Sequence, residues 1–205
     1  IQQKAVLYDS DGDQHYDTIS AFIKSIRGSD PDAALYWLAK MLHAGEDPRF
    51  IARRLVISAS EDIGLADSSA LQVAMAAQQA FEFIGMPEGR IPLAHATVHL
   101  ATSPKSNSAY AALGAAEADI AQGATLPVPL HLRTRFRKEL AEGSGADKAA
   151  MNYLYSHDYD GNFTPQAYLP EGRTYYTPSE NGMEKRIKER IEHWKKQFKE
   201  TASPK

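Results

Sequence analysis

The 205-residue sequence predicts an all-α protein, an irregular helical bundle followed by a loop-rich extension and a C-terminal amphipathic helix. Three observations carry that expectation. Apolar residues recur at helical spacing in successive segments, and each segment is bounded by capping chemistry. Alanine is concentrated before residue 125, with 25 of 31 there, which permits close helix approach. The last 25 residues contain one long apolar stripe within a charged segment.

The first helix follows Ile19, Phe22, Ile23 and Ile26, spaced i, i+3, i+4 and i+7, and Gly28 stops it. Asp30-Pro31 supplies an N-cap followed by Pro at N1, where the missing N–H costs no hydrogen bond. That helix runs through Ala33–Leu42 and closes at Gly45. Asp47-Pro48 repeats the signal and opens a helix through Phe50, Ile51, Leu55 and Ile57, ending near Gly64. Asp67-Ser68 starts a fourth, running to Gly85. Pro92 opens a fifth, which ends before Ser103-Pro104. Asn107 or Ser108 starts a sixth, through Leu113 and Ile120 to Gly123. The segments after Asp30 and Asp47 do not align beyond the dipeptide, so no fixed-period solenoid is expected.

Beyond residue 124 the pattern changes. Residues 1–124 carry 9 Lys/Arg and 15 Asp/Glu, whereas 125–205 carry 14 and 11. Six of the ten tyrosines follow residue 150. Leu126-Pro127-Val128-Pro129-Leu130 cannot be helical, because each Pro holds its predecessor extended. Arg133–Leu140 could form a basic helical turn, and Gly143-Ser144-Gly145 is a break. Tyr153–Tyr176 reads as ordered loop whose tyrosines pack flat and bond through their hydroxyls. Met183, Ile187, Ile191, Trp194 and Phe198 then form one face of a long helix.

Several chemistries are closed. The chain has no cysteine, which removes disulfides, thiolate metal sites and cysteine nucleophiles and fits a reducing compartment. No glycine precedes a lysine and no G-x-G-x-x-G occurs, so neither a Walker A loop nor a dinucleotide cradle is encoded. No apolar run of 18 residues suggests a membrane span, and no membrane partner is expected. The chain begins at Ile1 without a signal segment, which suggests a piece of a longer protein.

The remaining candidates are weak as catalytic groups. His95 and His99 lie one helical turn apart and could face one metal, but the Glu of a zincin motif is absent and no third ligand is evident. Asp9, Asp11 and Asp13 alternate like the start of a calcium loop. However, Gly12 stands at position 4 rather than 6, and Ser20 stands where the Glu is needed. Ser156, His157 and Asp158 are sequence neighbours without a nucleophile elbow and are expected to fix the loop locally. Neither a catalytic nor a metal site is expected.

Binding surfaces are better supported. Glu61 and Asp62 form a negative pair near a helix C-terminus, an unfavourable place that calls for a basic partner such as Arg53 or Arg54 of another subunit. Tyr36 and Trp37 lie between Leu35 and Leu38, so apolar character covers more than one helix face. These six residues are the candidate subunit interface. On the last helix, Lys185, Arg186, Lys188, Arg190, Lys195 and Lys196 are the candidate contacts to DNA phosphates or a protein partner. Trp194 and Phe198 fall on the stripe and are expected in the core rather than as stacking platforms.

Longer runs resemble a known family. Gly12-Asp13-Gln14-His15-Tyr16-Asp17-Thr18-Ile19-Ser20-Ala21-Phe22 and Lys24–Ala39 resemble the start of the C-terminal region of the RarA/MgsA family of AAA+ ATPases. Gly45-Glu46-Asp47-Pro48, Ala59-Ser60-Glu61-Asp62-Ile63-Gly64, Pro104-Lys105-Ser106-Asn107 and Leu126-Pro127-Val128-Pro129 extend the resemblance. His157-Asp158-Tyr159, Tyr168-Leu169-Pro170 and Tyr175-Tyr176 with Pro178 and Gly182 carry it nearly to the end. Thr134–Asn152 departs from it, where the family has a shorter segment.

The resemblance implies the exit of an ATPase lid over residues 1–13, a clamp-loader-like collar over 14–124, and a family-specific extension over 125–205 packed on the collar. It further implies a homotetramer that acts at stalled replication forks in DNA replication, recombination and repair. The implied partners are DNA and the single-stranded-DNA-binding protein, and the implied location is the cytoplasm, at the nucleoid. ATP and magnesium would belong to an N-terminal core outside these residues, and no cofactor or catalytic residue carries over. The function expected is thus oligomerisation. The alternative is docking of DNA or the single-strand-binding protein on the basic helix.

Overall fold

A computed structural model describes residues 13–133, 153–170 and 172–202. Among them are seven α-helices and no strands, in agreement with the all-α expectation. The helices are α1 (Asp13–Arg27), α2 (Pro31–His43), α3 (Pro48–Ser58), α4 (Ser69–Ile84), α5 (Arg90–Thr102), α6 (Ser108–Ala121) and α7 (Glu184–Ala202).

The caps act as their chemistry dictates. The Asp30 carboxylate accepts from the Ala33 N–H at 2.9 Å, and Asp47 accepts from Arg49 at 2.9 Å, each with Pro at the first helical position. Asp67 accepts from both the backbone and the hydroxyl of Ser69. Helix α5 begins at Arg90, two residues before the expected Pro92. A proline within the first turn removes only an N–H that has no intrahelical acceptor, so the helix extends ahead of it.

Helix α3 shows a second departure. Its α geometry ends at Ser58, and a wider π turn, Ala59–Ile63, follows, closed by the Gly64 N–H on the Ala59 carbonyl. A short 3₁₀ turn, Gly64–Ala66, completes the connection. No periodicity announces such a turn, because it inserts a single residue into an otherwise continuous apolar pattern.

The chain divides into two compact units, 1–112 with 178–185, and 113–177 with 186–205. In the first, α1 packs on α2, α2 on α5, and α4 on α3 and α5. Phe22 and Ile26 of α1, Leu38 and Met41 of α2, Ile51 and Leu55 of α3, and Leu93 and Leu100 of α5 fill the core. Helix α4 contributes Ala70, Ala74 and Ala77, all buried. Small side chains at this spacing let the neighbouring helices approach closely while excluding water. His15 Nδ1 pairs with Glu46 Oε2 at 2.6 Å, fixing the start of α1 to the loop before α3.

In the second unit, polar bonds hold the loops. The Gln166 side chain accepts from the Leu154 N–H at 3.1 Å and donates to its carbonyl at 2.8 Å. Asp119 accepts from the Tyr175 hydroxyl at 2.9 Å and from the Arg173 guanidinium. The loop tyrosines pack less closely than expected: Tyr155, Tyr159 and Tyr168 are exposed, although the Tyr168 hydroxyl bonds Thr164 and Gln166. Trp194 and Phe198 are likewise not core residues, each being 37% exposed; Trp194 stacks on Phe163 with ring centroids 6.1 Å apart. An amphipathic stripe fixes which helix face is apolar but not how much cover it receives. The expected turn at Arg133–Leu140 beyond Arg133, the break at 143–145 and the acidic run before Asp13 lie outside the described residues.

Candidate functional site

Three sequence motifs that lie far apart in the chain meet in the first unit. The π turn Ala59–Ile63, the loop Pro104–Asn107 and the segment Pro178–Glu184 close on one another through the backbone. The Ser106 N–H donates to the Asp62 carbonyl at 2.8 Å, and the Met183 N–H to the Ala66 carbonyl at 2.8 Å. The Asn181 amide donates to the Lys105 carbonyl at 2.9 Å. Gly64 and Gly182 make this approach possible. Both have positive φ, and a Cβ on Gly64 would stand 2.6 Å from the Ser106 carbonyl oxygen, while one on Gly182 would overlap that of Ala66.

Two carboxylates anchor the junction. Glu184 is fully buried at the start of α7 and accepts from the hydroxyls of Ser106, Ser108 and Ser179 and from the Ser179 N–H at 3.1 Å. A buried charge of this kind is stable only when several donors replace its lost water. Asp62, 7% exposed, accepts from Arg27 Nε at 2.5 Å. Arg27 reaches Glu61 as well, at 3.4 Å. The hydrogen bond and charge of Asp62 raise the Arg27 guanidinium above its ordinary value.

The cation serving Glu61 and Asp62 is therefore Arg27 of the same chain, and neither Arg53 nor Arg54 of a neighbour is required. Arg53 is exposed, and Arg54 is half-buried with its Nε lacking a hydrogen-bond partner. Lys105 donates to Ser29 Oγ and to the carbonyls of Ala101 and Ser103. Burial lowers its pKa, against the opposing charge of Asp62. Arg27, Glu61, Asp62, Lys105, Asn107 and Tyr110 are among the residues around a cleft of about 330 Å³. Arg27 engages both carboxylates, whereas Lys105 is held by Ser29 and by two carbonyls, and Asp62 Oδ2 is buried without a hydrogen-bond partner.

The other candidates are dispersed. Tyr36 is 64% exposed on α2, and Trp37 is half-buried beneath the Lys40 ammonium, 5.3 Å from its ring centroid. His95 is exposed, whereas His99 turns to Asp67 at 3.4 Å, so the two histidines do not share a ligand position. Among the described residues no three His, Asp or Glu side chains converge as a metal site. Ser156, His157 and Asp158 form one 3₁₀ turn closed by backbone bonds, not a convergent triad. Lys185, Arg186, Arg190 and Lys195 are exposed along α7, and Lys188 is half-buried beside them, with Lys196 exposed.

The motifs that meet here are those by which the sequence resembles a family. The family model of the MgsA AAA+ ATPase C terminus matches residues 28–195, and that of an AAA C-terminal domain matches residues 1–27. The chain belongs to the MgsA AAA+ ATPase C-terminal family. An AAA domain-containing protein of Mycobacterium tuberculosis is 54% identical over 195 residues, covering 94% of this chain and 42% of that protein. Replication-associated recombination protein A of Bacillus subtilis is 47% identical over 186 residues, 89% of this chain and 43% of that protein. The ATPase WRNIP1 of Dictyostelium discoideum is 43% identical over 173 residues, 83% of this chain and 19% of that protein. The chain thus spans less than half the length of these relatives. The residues that meet at the junction are polar, small or already paired, and their bonds close the first unit on itself.

Sequence reasoning missed Glu184. It counted as one charge of the basic helix, whereas it is the best-satisfied buried carboxylate of the junction. The signal available was three serines at 106, 108 and 179, which gain meaning only once the chain closes on itself.

Proposed function

We propose that this chain is the oligomerisation module of a DNA-dependent AAA+ ATPase that acts at stalled replication forks in replication, recombination and repair. It would itself carry no ATPase chemistry, ATP and magnesium being held by a separate core. The assembly expected is a homotetramer in the cytoplasm, at the nucleoid. The observation that carries the reading is apolar surface left uncovered on a well-packed bundle. Phe83 is 92% exposed, Tyr36 64% and Ile91 63%, while the core beneath them is closed. These side chains, together with the apolar groove lined by Leu35, Leu42, Met86 and Ile91, suit cover by a second copy. Light scattering on the isolated chain tests it: an oligomer supports the reading, and a monomer throughout the micromolar range overturns it.

A second reading has its own support. The exposed cations Lys185, Arg186, Arg190 and Lys195 on α7 suit the phosphates of DNA or an acidic surface of a single-stranded-DNA-binding protein. Deleting the helix is a poor test, because Glu184 belongs to the core junction. Replacing those four cations by Gln keeps the fold. If the helix is the contact, single-stranded DNA affinity falls and its salt dependence flattens; unchanged binding removes the helix from consideration.

A further inference from the structure

We infer that one of the contacts of the oligomer is a two-fold seam in which the α4–α5 corner of one copy seats in the α2–α5 groove of a second copy, a tetramer joining two such pairs through another surface. This rests on the oligomerisation reading and assigns it a surface. The groove encloses about 720 Å³, and Leu35, Leu42, His43, Met86, Arg90 and Ile91 are among its lining residues. Helices α2 and α5 pack together below it, so it is a depression in the folded bundle. Beside it α4 ends, and the turn after Gly85 carries the chain into α5. The last turn of α4 bears Phe83, 92% exposed, and Ile84, 51% exposed. An aromatic ring so exposed gains most from burial and is the kind of side chain that anchors an interface.

Charge selects the occupant. Glu82 and Glu88 flank the apolar corner, whereas His43 and Arg90 stand at the groove. Among the described residues Glu82, Glu88 and Arg90 make no ion pair. An apolar projection edged with carboxylates and an apolar groove edged with a guanidinium are complementary, and one chain carries both side by side. A foreign partner would need only one of the two. A two-fold contact uses each of them twice, since the same patch must serve both subunits. Phe83 of each copy would fill the groove of the other, with Glu82 or Glu88 facing Arg90 across the seam.

The test uses the full 205-residue chain. Phe83→Asp places a charge where the ring of a single copy is already in water, so helicity stays as in the wild type, and so does melting at concentrations where both chains are dissociated. The expected result is at least a tenfold weaker self-association by sedimentation. The chain has no cysteine, so Phe83→Cys mixed with His43→Cys is also expected to give a disulfide-linked dimer under mild oxidation, which neither variant yields alone. If the wild type is oligomeric but Phe83→Asp associates as tightly and the mixture does not cross-link, this surface is wrong and the oligomerisation reading stands. If the wild type is monomeric, both fall.

Discussion

Arg27 Nε donates to Asp62 Oδ1 at 2.5 Å, tying the end of α1 to the π turn that follows α3. The relationship is asymmetric, because the side chain of Asp62 is 6% exposed and that of Arg27 51%. Removing the arginine strands a buried carboxylate, which costs more than losing the pair as a whole. Arg27→Ala should therefore destabilise by about 2–3 kcal/mol, below the usual range for fully buried pairs because Arg27 is half in water. In the double variant Arg27→Ala/Asp62→Asn, part of that loss should return. Urea denaturation measures both, and additive losses would contradict the coupling.

Glu184 provides the second prediction. Its replacement by Ala leaves the hydroxyls of Ser106, Ser108 and Ser179 facing a cavity, with an expected loss of about 3 kcal/mol. Glu189→Ala, at an exposed position on the same helix, should stay within about 0.5 kcal/mol of the wild type. Equal effects from the two substitutions would show that the buried network adds nothing.

Two glycines should respond with opposite signs. Gly182→Ala puts a methyl group onto the Ala66 carbonyl in a left-handed backbone and should cost more than about 2 kcal/mol. Gly114→Ala lies within α6 with open space around its Cβ and should stabilise by about 0.5–1 kcal/mol. Thermal melts distinguish them directly.

Acid sensitivity follows from Asp67. The Ser69 hydroxyl holds this carboxyl below its ordinary value, against the cost of burial and with help from the Ser69 N–H, Ser103 and His99. A carboxyl whose folded pKa is depressed stabilises the protein fully above the unfolded value, about 3.9, and loses that contribution as pH falls through the folded value. Stability should therefore decline below about pH 4, and Asp67→Asn should flatten that decline. An acid limb of unchanged slope in the variant would assign it to other carboxyls.

The helices and their starts were legible because caps and apolar stripes are local. Asp30 and Asp47 each bond the N–H that an N-cap position predicts, whereas Asp67 stands one residue ahead of the N-cap Ser68 and bonds the Ser69 N–H. What escaped was tertiary. A π turn needs only one additional residue, so nothing in Ala59–Ile63 separates it from a continuing helix. Of the stripe expected on α7, Ile187 and Ile191 are half-buried, but Trp194 and Phe198 keep more than a third of their surface in water and Met183 stands exposed ahead of the helix, since no stripe reports its cover. A basic partner for Glu61 and Asp62 was expected from another subunit, at Arg53 or Arg54, because a negative pair near a helix C-terminus calls for a cation. Arg27 lies 35 residues from Asp62, and only packing of α1 brings it there.

The central claim is that uncovered apolar surface on this bundle is covered by further copies of the chain. Sedimentation velocity of the wild-type chain across the micromolar range, without nucleotide, tests it most directly. The account predicts a species near four times the 22.6 kDa monomer, dissociating on dilution with its helicity intact. A single 22.6 kDa species at every concentration would contradict it.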